Sequence, residues 1–167
     1  MTAAAVKPAG LSKHVREAID EAVKKYPEGR PRSAVFVALR EAQHENGGYL
    51  TVELMDAVAV YLKLQPIMVY EVASFYSNFE VKPVGRHSIA VCTNISCMLR
   101  GADDIVAHIE KRLGVRTGES TPEGRCYLKR EEECLAACAG APMMMVDHKY
   151  YENLTPDKVD KILEGLK

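Results

Sequence analysis

Several features are missing from this 167-residue sequence, and each absence removes a class of function. No stretch is long and apolar enough to span a bilayer, so direct membrane insertion is not expected. The first ten residues lack a charged region followed by an apolar run, so they do not read as a signal peptide. They are small and Pro/Gly-punctuated, and are expected to form a loose tail. Charge excess is also missing. Up to Gly85 there are ten basic and ten acidic side chains, and beyond it twelve and thirteen. Neither half has the basic surplus of a nucleic-acid binder. There are no internal repeats and no low-complexity segments. No acid–base pair, nucleophile triad, phosphate-binding glycine loop or flavin fingerprint is evident, so no catalytic residue is assigned. Cysteine is absent from the first 90 residues.

The cysteines that are present carry the information. There are five, an odd number in a chain of this length, which argues against a secreted disulfide scaffold and for a reducing compartment. Four fall in two short pairs. Cys92 and Cys97 lie in C-T-N-I-S-C, and Cys134 and Cys138 in C-L-A-A-C. Three chemistries use such pairs: an iron–sulfur cluster, a structural zinc ion, or thiol–disulfide exchange. The C-x4-C spacing is wide for zinc and suits a two-iron cluster better. No C-x-x-C opens a helix, which counts against a thiol oxidoreductase. Neither cysteine loop contains a histidine, so Rieske-type ligation is not expected. Cys126 lies in R-C-Y-L on an expected strand and reads as a small buried hydrophobe.

Periodicity divides the chain. From Ser12 to Phe79 the pattern is helical. Ser12 is an N-cap ahead of Val15, Ala18, Ile19, Ala22, Val23 and Tyr26. Pro31 suits the first turn of a second helix with Val35, Leu39 and Ala42 on one face, ended by Asn46-Gly47-Gly48. Thr51 caps a third, with Val52, Met55, Ala59 and Leu62 inward. A fourth runs from Ile67 to Phe79. Four helices with short joints imply a bundle over residues 11–82. Pro83-Val84-Gly85 marks a boundary. Beyond it, His87–Val91 alternates as a strand that delivers Cys92 at its end. Gly101–Leu113 is an amphipathic helix, Gly118–Gly124 a polar loop, and Arg125–Glu132 and Met143–Val146 are strands. Tyr150-Tyr151 suggests one more strand, and Thr155-Pro156 opens a last helix reaching Leu166. The order β-α-β-β-α is that of a reduced thioredoxin-like α/β unit over residues 83–167, so the chain as a whole is α+β. Both cysteine pairs fall in loops at one end of the expected sheet.

The two cysteine segments, extended to C-T-N-I-S-C-M-L-R-G-A and C-L-A-A-C-A-G-A-P-M-M, resemble those of the thioredoxin-like [2Fe–2S] ferredoxin subunit (24 kDa type) of respiratory complex I, the NADH:quinone oxidoreductase. Glu71-Val72-Ala73-Ser74-Phe75-Tyr76 and Pro83-Val84-Gly85-Arg86-His87 are similar to segments ahead of that family's ferredoxin domain. The resemblance runs from about Leu11 to Lys167. It implies that Cys92, Cys97, Cys134 and Cys138 bind one [2Fe–2S] cluster. It also implies that Pro142 takes the place of a cis-proline often found in thioredoxin-like folds. Where many members have glycine near Ala136 or Ala137, this chain has alanine.

The resemblance implies an electron-transfer subunit of an oxidoreductase, a respiratory translocase, with no substrate site of its own. Its partners are then an NADH-oxidising subunit that carries FMN and a neighbouring iron–sulfur subunit, with the helical half clamping the former. The expected place is the cytoplasm, peripheral on the inner face of the membrane, or the matrix side in a eukaryote. Close relatives serve NAD-linked hydrogenases and formate dehydrogenases, so these remain an alternative, as does a structural zinc module held by the four paired cysteines. Reduction takes such a cluster from a charge of about −2 to about −3, which a buried site resists. Small residues (Ala136, Ala137, Ala139, Gly140) let backbone N–H groups approach the sulfurs. Thr93, Asn94 and Ser96 are candidate donors or loop-shaping residues. Arg100 and Arg125 either bring positive charge to the cluster or sit on the solvated surface.

Overall fold

The computed structural model describes residues 10–130 and 134–167. The expected tail, apart from Gly10, and the expected strand end at 131–132 lie outside the described residues. Contacts divide the chain into two units, Met1–Pro83 and Val84–Lys167. Among the described residues no helix is long and apolar enough to cross a membrane.

The first unit is helical: α1 (Lys13–Val23), α2 (Val35–Glu45), α3 (Val52–Tyr61) and α4 (Pro66–Phe75). Local chemistry sets their ends. The Ser12 hydroxyl accepts the Val15 N–H, and the Thr51 hydroxyl accepts the Leu54 N–H, each satisfying an orphan donor of the first turn. Pro66 opens α4 at a position whose N–H has no helical partner. Val15, Ile19, Ala22, Val35, Ala38, Leu39, Leu50, Met55, Val58, Ala59, Leu62 and Val69 form the core of this unit. Three expectations are corrected. Tyr26 and Val52 are exposed, because each lies at a helix margin where the inward stripe has rotated away. Pro31 begins a 3-10 turn, Pro31–Ala34, rather than α2 itself. The fourth helix stops at Phe75, and Phe79 enters the core from the loop beyond it.

The second unit is a five-stranded mixed sheet with helices. Its elements are β1 (His87–Val91), α5 (Ile95–Met98), α6 (Ala102–Leu113), β2 (Glu119–Ser120), β3 (Cys126–Leu128), β4 (Met144–Val146), β5 (Lys149–Tyr151) and α7 (Pro156–Gly165). The strand order is β2-β3-β1-β4-β5. β1 is central and pairs parallel to β3 and antiparallel to β4. Strand alternation puts Ile89, Val91, Leu128, Met144 and Val146 in one core with Ile105 and Ile109 of α6 and Val159 and Leu163 of α7. Each such side chain, fully buried, contributes roughly 1.5–3 kcal/mol. Left-handed glycines bound α6, with φ 87° at Gly101 and 69° at Gly114. The Thr155 hydroxyl caps α7 by accepting the Lys158 N–H.

Two elements go beyond what periodicity predicts. β2 arises inside the expected polar loop, and α5 within the first cysteine segment. The strand expected from Arg125 is shorter and begins at Cys126. Gly85 lies against this strand, where a Cβ would come within 2.5 Å of the Cys126 carbonyl oxygen and 2.8 Å of the Tyr127 nitrogen. Both are backbone atoms with little freedom to yield. We expect Gly85→Ala to destabilise the protein by about 1–3 kcal/mol, read by chemical denaturation.

His87 provides a pH-dependent fixture. Its Nδ1 lies 2.6 Å from Asp147 Oδ2 and its Nε2 lies 2.9 Å from the Lys167 carbonyl oxygen. Both partners are acceptors, so only the imidazolium, with two N–H groups, satisfies both. The Asp147 hydrogen bond, then the Lys167 carbonyl, raise the His87 pKa against the opposing effect of burial. A raised folded-state pKa means that this stabilisation is full below the unfolded value, about 6.5, and is lost as pH rises through the folded value. Thermal or denaturant stability should therefore fall across that window, and His87→Gln should flatten the fall. A variant with the unaltered pH slope would exclude His87 as its source.

Candidate metal centre

The end of β1 places the first cysteine pair. Cys92 follows Val91 directly, and its N–H donates to the Met143 carbonyl at 3.1 Å, extending the ladder with the β4 segment by one step. The chain then turns through the single helical turn of α5, which carries Cys97 inward. Cys92 and Cys97 are buried with Ala102, Leu135, Ala141 and Met143 in a small apolar cluster. The second pair is set by the loop that precedes β4. Cys134 and Cys138 are exposed, with sulfurs 3.7 Å apart. A 3-10 turn, Cys138–Gly140, leads to the cis peptide between Ala141 and Pro142. The proline at this place is thus cis, as the thioredoxin-like resemblance implies.

Backbone N–H groups converge on the sulfurs. Cys92 is held below the ordinary thiol range: burial opposes its ionisation, but the Asn94 and Leu135 N–H groups, the Cys97 thiol and the Asn94 side chain outweigh that. The Leu135 donor comes from the second cysteine loop, so the two loops share one sulfur's hydrogen bonds. Of Thr93, Asn94 and Ser96, Asn94 is therefore a donor to the site. Burial, then the hydrogen bond with Cys92, pushes Cys97 up to about 11. The Ala136 N–H donates to Cys134 Sγ at 3.4 Å and favours its thiolate. Its hydrogen bond with Cys138, residual desolvation and the charges of Cys138 and Cys92 raise the Cys134 pKa overall. The charge of Cys138 likewise acts on Cys97.

The donor set fits an iron–sulfur cluster. It is all thiol, it is arranged two and two, and it is supplied with N–H donors of the kind that offset charge on sulfur. Among the described residues no three His, Cys, Asp or Glu side chains group closely enough to hold a single metal ion. Cys126 takes no part. It is buried, it pairs in register with His87, and burial raises its pKa. Five strand steps separate His87 from Cys92, about 16 Å along the sheet. Arg125 belongs to that distant end as well. Its Nη1 donates to the Leu163 and Leu166 carbonyls at 3.4 and 3.2 Å, closing the C-terminus of α7. Arg100 lies at the site, with Nε donating to the Ala141 carbonyl at 3.3 Å.

Fold and sulfur site together define a ferredoxin of thioredoxin-like architecture. The chain belongs to the thioredoxin-like [2Fe-2S] ferredoxin family, whose model matches residues 19–167, and its cofactor is a [2Fe–2S] cluster. It is 46% identical over 147 residues to the E-type subunit of the NADH-quinone oxidoreductase of Rickettsia conorii, covering 88% of this chain and 87% of that one. It is 40% identical over 153 residues to the E-type subunit numbered 2 of the NADH-quinone oxidoreductase of Rhizobium meliloti, covering 92% and 89%. The fold is also similar to part of an NAD+-reducing [NiFe]-hydrogenase structure, with a TM-score of 0.66 at 20% identity over 77% of this chain. The matched region is 22% of the hydrogenase chain.

Ala136 takes a backbone conformation that favours glycine. Its φ is 58°, the left-handed region, where an alanine Cβ crowds the following carbonyl. That conformation aims the Ala136 N–H back at Cys134. Ala136→Gly should stabilise the protein by up to about 1 kcal/mol, less what glycine adds to unfolded-chain entropy. Equal or lower stability in denaturant titrations would show that the loop tolerates the alanine without strain.

Proposed function

We propose that this chain is the [2Fe–2S] electron-transfer subunit of an NADH:quinone oxidoreductase, with Cys92, Cys97, Cys134 and Cys138 as the cluster ligands. The observation that carries this reading is the buried cluster in which Cys92 and Cys97 pack with Leu135 and Ala141, residues of the segment that bears the second cysteine pair. Relatives at 40–46% identity over most of their length are named as E-type subunits of NADH-quinone oxidoreductase, which supports the quinone-linked assignment over a hydrogenase one. The proposed domain organisation is a helical bundle over residues 11–82 and a cluster-bearing domain over 83–167.

When bound, the cluster supplies storage of a single electron. The protein's part is to make that possible. Four thiolates hold the irons, N–H groups of Asn94, Leu135 and Ala136 face sulfurs, and Leu135, Ala141 and Met143 exclude water from the first pair. In this reading the isolated chain acts as a carrier and hydride chemistry falls to an FMN-bearing partner. Surface composition supports docking of a protein beside the sulfurs. Ile95, Met98 and Leu99 are exposed, at 73%, 46% and 76%, next to Cys97. Apolar side chains clustered around an exposed redox site form the kind of patch that a partner covers. The chain then works as a peripheral subunit on the inner face of the membrane, beside the flavin subunit and a further iron–sulfur subunit.

The test is anaerobic purification of the full chain with iron and acid-labile sulfide assays and EPR before and after dithionite. About two irons and two sulfides, silence when oxidised and an S = 1/2 signal on reduction are expected. Single Cys→Ser variants at 92, 97, 134 and 138 should lose or alter the signal, whereas Cys126→Ala should keep it. NADH alone should leave the cluster oxidised until the flavin-bearing subunit is added. Zinc at about one per chain with no sulfide would instead establish the zinc module.

A further inference from the structure

Two side chains of opposite charge reach the turn that follows Cys138. Arg100 is the first. Its backbone N–H bonds the Cys97 carbonyl at 3.1 Å, and its Nε donates to the Ala141 carbonyl at 3.3 Å. Ala141 lies three residues past Cys138 and directly before the cis-proline. One side chain thus ties the segment bearing the first cysteine pair to the segment bearing the second. Glu152 is the other. It follows β5, and its side chain packs against Gly140 so closely that a Cβ at Gly140 would collide with the carboxylate. The residues that follow Glu152 hold this contact, since the Asn153 N–H bonds the Gly140 carbonyl at 2.6 Å and the Leu154 N–H bonds the Pro142 carbonyl at 2.9 Å. Among the described residues neither the Arg100 guanidinium nor the Glu152 carboxylate has an ion-pair partner. The Lys158 ammonium bonds the Glu152 backbone carbonyl rather than its carboxylate.

We propose that Arg100 and Glu152 are opposed positioning charges that set the reduction potential of the site. The inference rests on the assignment of the four cysteines as cluster ligands. Reduction adds one negative charge. A guanidinium held on the Ala141 carbonyl favours the reduced form, and a carboxylate held on Gly140 favours the oxidised form. Arg100 has a second role, because its hydrogen bond keeps the two loops at the spacing the four thiolates require. Both head groups meet solvent, so each effect is moderate and is screened by salt.

The experiment is an EPR-monitored redox titration of the full chain and of Arg100→Gln, Arg100→Lys and Glu152→Gln, each assayed for iron and sulfide. Arg100→Gln should shift the reduction equilibrium about threefold toward the oxidised form. Glu152→Gln should shift it about threefold toward the reduced form. For one electron each is about 30 mV, downward and upward respectively. Arg100→Lys keeps the charge and should lie near the parent value. Raising ionic strength from about 0.05 to about 0.5 M should shrink both shifts, a response that loosened packing does not give. Unchanged potentials, or shifts of the same sign in both neutral variants, would overturn the proposal. If Arg100→Gln binds no iron while Arg100→Lys does, the clamp stands and the sign of the Glu152→Gln shift decides the electrostatic part. Absence of iron and sulfide from the parent chain would instead strike the ligand assignment.

Discussion

Negative charge on sulfur, placed at the end of a β-sheet, is the constraint around which the second unit is organised. Thiolates that lose water need donors in its place, and the donors here are backbone N–H groups. Backbone donors are precise only where the chain path is precise. β1 supplies that precision for Cys92, since Val91 pairs with Met144 of β4 and the Cys92 N–H continues that ladder to Met143. Among the described residues the loop after β3 has no such ladder. It relies on the left-handed turn at Ala136, the buried anchor of Leu135 and the cis peptide before Pro142. Leu135 serves both requirements at once: its side chain fills the apolar cluster, and its N–H meets the Cys92 sulfur.

The two cysteine pairs differ in environment. Cys92 and Cys97 are buried, while Cys134 and Cys138 are exposed. A buried pair is shielded from exchange and oxidation, and an exposed pair lies where a partner can approach. Electron transfer needs both properties in one site. The pKa pattern follows from the same division. In the first pair one thiol is lowered by N–H donors, and its neighbour, which must then share a proton with it, is raised. Metal binding to such a pair releases protons, so assembly of the site is favoured as pH rises.

The helices and the cysteine chemistry were legible in the sequence because each has a strong local signature. Ser12, Thr51 and Thr155 cap where a hydroxyl precedes an apolar period, and the caps form as hydrogen bonds in the structure. The strand ending at Val91 alternates over five residues, enough for the period to register. β2 is two residues long and polar, and α5 is a single turn. Neither is long enough to show a period, and both are held by neighbours distant in sequence: β2 by its ladder to β3, α5 by the apolar cluster around Cys97. Tyr26 and Val52 show the converse limit. Each fits the helical period of its segment, yet tertiary packing ends one turn short of it. Within the site, the paired cysteines were readable and the N–H groups beside them were not, because an N–H group carries no residue identity. Leu135 looks like any core leucine in the sequence.

Arg125 and Arg100 show why composition near a motif is a poor guide to charge near a site. Both lie within nine residues of a paired cysteine. Arg125 precedes β3, at the end of the sheet opposite Cys92, and its guanidinium closes the end of α7. Arg100 follows α5 and turns back onto Ala141. The difference comes from the polarity of the strands. β1 and β3 run parallel, so a residue that enters β3 lies beside His87, where β1 begins, while a residue that leaves β1 lies at the sulfur end. Topology therefore decides which cation lies at the sulfur end of the sheet. A parallel pair puts both strand exits at one end, which is why the cysteine segments that follow β1 and β3 can meet there at all.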